Sequence, residues 1–134
     1  MPSILKELPI AADVASVWAA FRDVGAVHQL APGFVTDCRL EEGGAARIVT
    51  FGNGMVAREM IVDIDDAGRR LAYAVVGGRL THHNASFEVI EDGPGRCRVV
   101  WRADLLPADL RPAIEGMMEQ GMQAMQRRLE GRTV

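Results

Sequence analysis

Glu59, Tyr73 and His83 are the side chains with the most chemical potential in this 134-residue sequence. Around Glu59 the residues alternate. Ala57, Glu59, Ile61 and Asp63 share one side of a strand, and Arg58, Met60, Val62 and Ile64 share the other. Apolar counting turns the second set inward and leaves Glu59 in water. Turned into an apolar cavity instead, Glu59 becomes a candidate acid/base or a hydrogen-bonding anchor, because burial disfavours its charge. His82 and His83 are adjacent, so on a strand they point to opposite faces and cannot share a metal. His83 has the parity of Ala85 and Phe87, from which it could orient a ligand or shuttle a proton. The alternative is a partly exposed histidine at a strand end. Tyr73 carries a phenol on an apolar body, suited to fixing the polar end of a ligand. His28 reads as a surface or packing residue.

Other chemistries find no support. Cys38 and Cys97 lack metal-like spacing and read as small buried hydrophobes on strands. Gly43-Gly44 and Gly77-Gly78 lack the surroundings of a phosphate loop. Neither Ser16 nor Ser86 lies in a nucleophile motif, and no zinc or haem spacing occurs, so neither metal nor cofactor is expected.

The elements that must position these residues follow from periodicity. Residues 3–8 read as an edge strand ending at Pro9. Residues 14–22 form a short helix capped by Asp13, with Val14, Val17, Trp18 and Phe21 on one face, and 26–30 a second helical piece stopped by Pro32-Gly33. Six strand-like stretches follow, at 34–40, 47–51, 55–63, 71–76, 83–91 and 96–105, separated by turns such as Gly52-Asn53-Gly54 and Asp92-Gly93-Pro94-Gly95. On the last strand alternation puts Cys97, Val99, Trp101, Ala103 and Leu105 inward and Arg98, Arg102 and Asp104 outward.

Residues 109–130 form one long amphipathic helix, with Asp109 as N-cap, Pro112 in the first turn and Gly131 as the stop. Ile114, Met118, Gly121 and Met125 fall near the centre of its apolar stripe. Methionines fill irregular cores and also line cavities for variable apolar ligands. Gly116 and Gly121 each lower helix stability by about 1 kcal/mol relative to alanine; at Gly121, on the buried stripe, the missing side chain leaves room for a ligand or a close sheet contact. Ile114, Met117, Met118 and Met122 are expected to face a cavity, and Met125 and Leu129 to pack its base.

The totals bound the rest. One domain over residues 1–134 is expected, with no linkers or repeats. A net charge of −3 argues against nucleic acid as a partner. No apolar run approaches the roughly 20 residues that span a bilayer, and 1–13 does not read as a signal peptide, so a cytoplasmic protein without stable membrane insertion is expected.

The order strand, two short helices, six strands, long helix (β-α-α-β6-α) resembles the helix-grip fold of the START/Bet v1-like superfamily, an α+β fold. More narrowly, it is similar to the bacterial SRPBCC group of polyketide cyclase/dehydrase and lipid-transport proteins. The resemblance rests on Asp13-Val14-Ala15-Ser16-Val17-Trp18, His28-Gln29-Leu30-Ala31-Pro32-Gly33, Arg58-Glu59, Asp65-Asp66, Arg69 through Tyr73, Val75-Val76-Gly77-Gly78 with Asn84, and Trp101 before the helix. It implies a seven-stranded curved antiparallel sheet wrapped around the C-terminal helix.

Residues 58–86 are also similar to plant abscisic-acid receptors, which implies that Glu59, Tyr73, Val75, Ala85 and Phe87 face a cavity. The receptors' gate is shortened here to Phe51-Gly52-Asn53-Gly54-Met55, their latch corresponds to Leu80-Thr81, and Pro32 stands where their carboxylate-binding lysine is expected. A hormone-receptor function is therefore not implied. Aligning Pro107 on the receptors' strand-end proline implies instead that Arg102 points inward, with a buried Arg102–Glu59 pair as the arrangement that competes with alternation.

The combined expectation is a protein that binds a small hydrophobic or amphipathic molecule between sheet and helix. Expected lining residues are Glu59, Tyr73, Val75, His83, Ala85, Phe87, Trp101, Ile114, Met117, Met118 and Met122. An enzyme is the first alternative, cyclising or dehydrating a polyketide-like substrate with Glu59 or His83 as acid/base and Tyr73 as donor. The second is an interaction module with a filled core, leaving less than about 300 Å³ between sheet and helix. A homodimer is left open.

Overall fold

A computed structural model describes residues 2–131. Seven strands form one antiparallel sheet: β1 (Ser3–Ile10), β2 (Val35–Glu41), β3 (Ala46–Phe51), β4 (Val56–Asp65), β5 (Arg70–Val76), β6 (His82–Glu91) and β7 (Cys97–Leu106). Their spatial order is β1-β7-β6-β5-β4-β3-β2, so every sequential pair from β2 to β7 is a hairpin and β1 closes onto β7. Two short helices, α1 (Val14–Arg22) and α2 (Val27–Leu30), connect the two edge strands. The 19-residue α3 (Arg111–Leu129) lies across the concave face. This is the helix-grip architecture, α+β in the order β-α-α-β6-α. No helix among the described residues is long and apolar enough to cross a membrane.

Local sequence accounts for most boundaries, with informative exceptions. β1 runs through Pro9 to Ile10, because an edge strand tolerates a residue without an N–H. Ile10 is thereby carried into the core. Asp13 occupies the N-cap position of α1, but its side chain makes no capping bond; its carbonyl accepts from Val17 N and from Ser16 Oγ instead. Asp109 is not the N-cap of α3. It lies in a 3-10 turn, Ala108–Leu110, and Leu110 takes the cap position. Pro112 is in the first turn of α3, and Gly131 turns the chain out of the helix with φ 73°.

The β4 strand resolves the ambiguous alternation. Its pairing with β5 slips between Ile61 and Asp63. Such an irregularity changes which parity faces inward. Ile61 before it and Ile64 after it both pack on the core, while Val62 is 59% exposed. Glu59 is therefore inward, the opposite of what apolar counting gives. The outer face is also less wet than alternation predicts: Ala72, Ser86 and Val100 are all buried near the centre of the sheet.

Side-chain ties hold the helices on the sheet. Trp18 Nε1 donates to Asp66 Oδ1 at 2.9 Å and Arg22 pairs with the same carboxylate at 2.7 Å, fixing α1 to the β4–β5 turn. At the far end of α3, Gln126 Nε2 donates to Pro9 O and Arg128 Nε to Gln29 O. Near its start, Lys6 bridges Glu115 and Glu119 from β1.

Candidate functional site

The inward residues of β3, β4, β5, β6 and β7 meet α3 around a cavity of about 80 Å³. At one end is a buried ion pair. The strands β3 and β4 set Arg47 directly opposite Glu59, and Arg47 Nε donates to Glu59 Oε1 at 2.8 Å. The two residues are only 4% and 6% exposed. Arg47 Nη1 donates to Val24 O at 3.1 Å, and the guanidinium lies 5.6 Å from the centre of the Tyr73 ring. Glu59 is thus surrounded by a cation rather than by apolar side chains alone. The competing Arg102–Glu59 pair does not form: Arg102 is on the outer face, near Glu88, and Trp101 points inward.

Tyr73 is fully inside, and its hydroxyl accepts from Trp101 Nε1 at 3.1 Å. Burial holds its phenol well above its ordinary pKa, with the Glu59 charge adding to the effect. Phe87 stacks between its neighbours, with ring centres 4.4 Å from Trp101, 4.7 Å from Phe21 and 5.9 Å from Tyr73.

His83 sits where the β5–β6 ladder runs out. The last paired residues are Tyr73 and Ala85, and beyond them Val75 N donates to His83 Nδ1 at 3.0 Å. The ring nitrogen takes an N–H that the ladder leaves without a carbonyl. Burial, reinforced by the neighbouring charge of His82 and only partly opposed by Asp104, pushes the imidazole pKa down to about 4. It is neutral near pH 7.

Of the residues expected to line the cavity, Glu59, Tyr73, Val75, His83, Phe87, Trp101, Ile114, Met117 and Met118 do so. Ala85 and Met122 do not. Ala85 is buried in the sheet between Tyr73 and Ala103 and lies outside the lining. Met122 is buried elsewhere, and Met125, expected at the base, takes its place in the lining. At about 100° per residue Met125 is turned only about 20° from Ile114, and Met122 about 80°. The centre of the stripe faces the cavity.

Gly121 lies on that stripe as a contact point. A Cβ there would meet Phe34 Cε2 at 3.0 Å and the Trp101 ring at 3.2 and 3.3 Å. The missing side chain lets the aromatic rings approach the helix backbone.

Periodicity did not single out Arg47, Phe34, Phe51 or Val49 as lining residues, and Ala103, which alternation turns inward, was not named among them. For Arg47 a signal existed: it shares the parity of Val49 and Phe51 on a strand whose antiparallel neighbour carries a lone inward glutamate. Phe34 and Phe51 cross edge-to-face at 5.3 Å, and Gly52 N donates to Phe34 O at 2.9 Å. These two rings and Met117 separate the cavity from a surface cleft of about 120 Å³ that they also line. Among the described residues no three His, Cys, Asp or Glu side chains gather as a metal-binding group.

The arrangement can do two things chemically. It can surround an apolar body with Val, Phe, Trp and Met side chains, and it offers a polar end built from Arg47, Glu59, Tyr73 and His83. At about 80 Å³ it lies on the filled-core side of the roughly 300 Å³ expected of a site for a drug-sized ligand.

Solved structures share the fold over nearly its full length. An uncharacterised protein from Bacillus thuringiensis superposes with a TM-score of 0.86 at 17% identity, covering 95% of this chain and 98% of that one. A solution structure from Thermobifida fusca is 27% identical, with a TM-score of 0.79 over 100% of this chain and 99% of the other. Norcoclaurine synthase from Thalictrum flavum superposes with a TM-score of 0.74 at 19% identity, covering 93% and 91%. No protein of curated function matches the sequence. The family model for polyketide cyclase/dehydrase and lipid transport matches residues 1–130, and the chain belongs to that family.

Proposed function

We propose that this protein binds a small apolar molecule, of about single-ring or short-chain size, in the cavity between sheet and α3. The observation that carries the reading is the buried Arg47–Glu59 pair at the polar end of a mainly apolar lining. Burying two charges is costly, and apolar residues of similar volume often serve stability as well or better. A polar end at the cavity wall is the simplest use for such a pair. The size limit follows from the volume. An apolar cavity of about 150 Å³ accepts a benzene ring, so one of about 80 Å³ must open to roughly twice its volume. Met117, Met118 and Met125 form the wall best able to do so, being unbranched and able to change rotamer at little cost.

The family's description, together with a fold shared with norcoclaurine synthase, supports a cavity that handles small organic molecules. Cyclisation or dehydration is less well supported by the geometry. Glu59 is held by Arg47, and His83 has its unprotonated nitrogen occupied by Val75 N–H, so neither is poised as a base. The cavity volume favours a second reading, a filled-core module that binds through its surface.

Titration separates the two. A panel of single-ring and short-chain apolar compounds should shift the NMR methyl signals of Met117, Met118 and Met125. The same compounds should raise Tm, since a ligand at 100 times its Kd stabilises by about 2.7 kcal/mol. If no compound moves those methyl signals, the filled-core reading replaces this one.

A further inference from the structure

Among the described residues the polar end of the cavity leaves Arg47 Nη2, Tyr73 OH and His83 Nε2 without an acceptor, against one carboxylate oxygen, Glu59 Oε2, without a donor. Arg47 spends Nε on Glu59 and Nη1 on Val24 O, while Nη2 makes no hydrogen bond among the described residues. The Tyr73 oxygen accepts from Trp101 Nε1, and its own proton goes to no acceptor among those residues. Val75 N–H donates to His83 Nδ1, which makes Nε2 the protonated nitrogen of the neutral ring, again with no acceptor among the described residues. The three groups are neighbours. The Arg47 Cζ lies 5.6 Å from the Tyr73 ring centre, and the His83 ring centre 5.8 Å from it. All three line the same cavity.

Charge decides what kind of acceptor belongs there. Arg47 and Glu59 are the two formally charged residues in the lining, and they neutralise one another. A ligand carboxylate would bring a second negative charge beside Glu59 and leave the buried cluster with a net charge. Carbonyl oxygens accept the same hydrogen bonds without that penalty.

We infer that the cavity selects a neutral oxygen acceptor, a ketone or ester carbonyl, on a ring-sized apolar molecule, with Tyr73, His83 and Arg47 as its donors. This rests on the binding reading above and adds the ligand's polar chemistry to it.

Cumene, acetophenone and benzoate test it, being closely similar in shape and equal in non-hydrogen atoms. They differ at one group: apolar, neutral carbonyl or carboxylate. Affinities measured by NMR titration should place acetophenone about five- to tenfold tighter than cumene, the return from one or two net hydrogen bonds. Benzoate should bind at least tenfold more weakly than acetophenone. Tyr73→Phe should lower the affinity for acetophenone by a larger factor than that for cumene, narrowing the ratio between them toward one. A second readout needs no variant: the carbonyl stretch of bound acetophenone should lie at lower wavenumber than in hexane.

Equal binding of cumene and acetophenone, with an unshifted stretch, would leave the cavity a binding site but overturn its selection of an oxygen. Benzoate as the tightest of the three would overturn the preference for a neutral group. Failure of all three to bind would remove the ring-sized binding reading itself, and this inference with it.

Discussion

Removing one charge from the Arg47–Glu59 pair strands the other in the interior, and this makes the pair the most sensitive point in the cavity wall. Both side chains are almost wholly buried, so the full cost of an unpaired charge applies. Arg47→Met or Glu59→Leu alone should destabilise by about 3–5 kcal/mol in urea unfolding. The double variant should lose much less than the sum of the two, because no charge is left behind; strict additivity would show that the pair is not coupled. His83 makes a second prediction at this scale, in pH. Its folded pKa, about 4, is below the ordinary 6.5, so the unfolded chain binds a proton that the folded chain does not. Its contribution is therefore complete above about pH 6.5 and is lost as pH falls toward 4. Because His83 is only partly buried, solvent screening reduces the effect to about 2 kcal/mol. His83→Gln, which cannot titrate, should flatten the stability profile between pH 6.5 and 4 relative to the parent; profiles that run parallel would count against the assignment.

On α3, two glycines of identical propensity should respond in opposite directions. Nothing lies within 4 Å of a Cβ built on Gly116, so Gly116→Ala should stabilise by about 1 kcal/mol through helix propensity. At Gly121 the same gain is set against contacts of 3.0 to 3.3 Å with the rings of Phe34 and Trp101. Aromatic rings wedged between helix and sheet cannot swing aside as a lysine would, so Gly121→Ala should cost about 1–3 kcal/mol. Chemical denaturation of both variants checks the pair, and a stabilised Gly121→Ala would mean that the helix rides higher on Trp101. Elements of this kind are well marked in sequence. The six-strand meander was legible because turns such as Gly52-Asn53-Gly54 punctuate it, and α3 because Ile114, Met118 and Met125 recur at helical spacing. The orientation of β4 was not, because the slip between Ile61 and Asp63 depends on pairing with β5, which no local pattern records. Glu59 came out inward from family likeness alone. Its partner Arg47 was missed because Ile48 is as apolar as Val49, which leaves β3 without clean alternation. The N-cap of α3 was misplaced for a different reason: Asp109 is a good cap type, but it lies in the 3-10 turn that precedes the helix.

For the whole molecule, the balance between packing and capacity distinguishes a binding protein from a filled core. Packing lost around a cavity costs roughly 24 cal/mol per Å³, so one of about 80 Å³ represents about 2 kcal/mol that the fold forgoes. Ala103 offers the way to recover it. It is buried on β7, lines the cavity, and is flanked there by two lining aromatics, Trp101 on its own strand and Phe87 on β6. In Ala103→Leu the added atoms enter the cavity, and burying them should return about 1–2 kcal/mol of stability. If the fold serves only as a packed module, this variant is better packed and loses nothing. If the cavity is the working part, the variant gains stability and loses affinity for ring-sized molecules by tenfold or more. Measuring Tm and acetophenone titration on the same preparation reads both quantities together. Raised stability with undiminished binding would place the ligand somewhere other than this cavity. Lowered stability would show that Trp101, Phe87 and the methionines of α3 have already closed the space that Ala103 leaves.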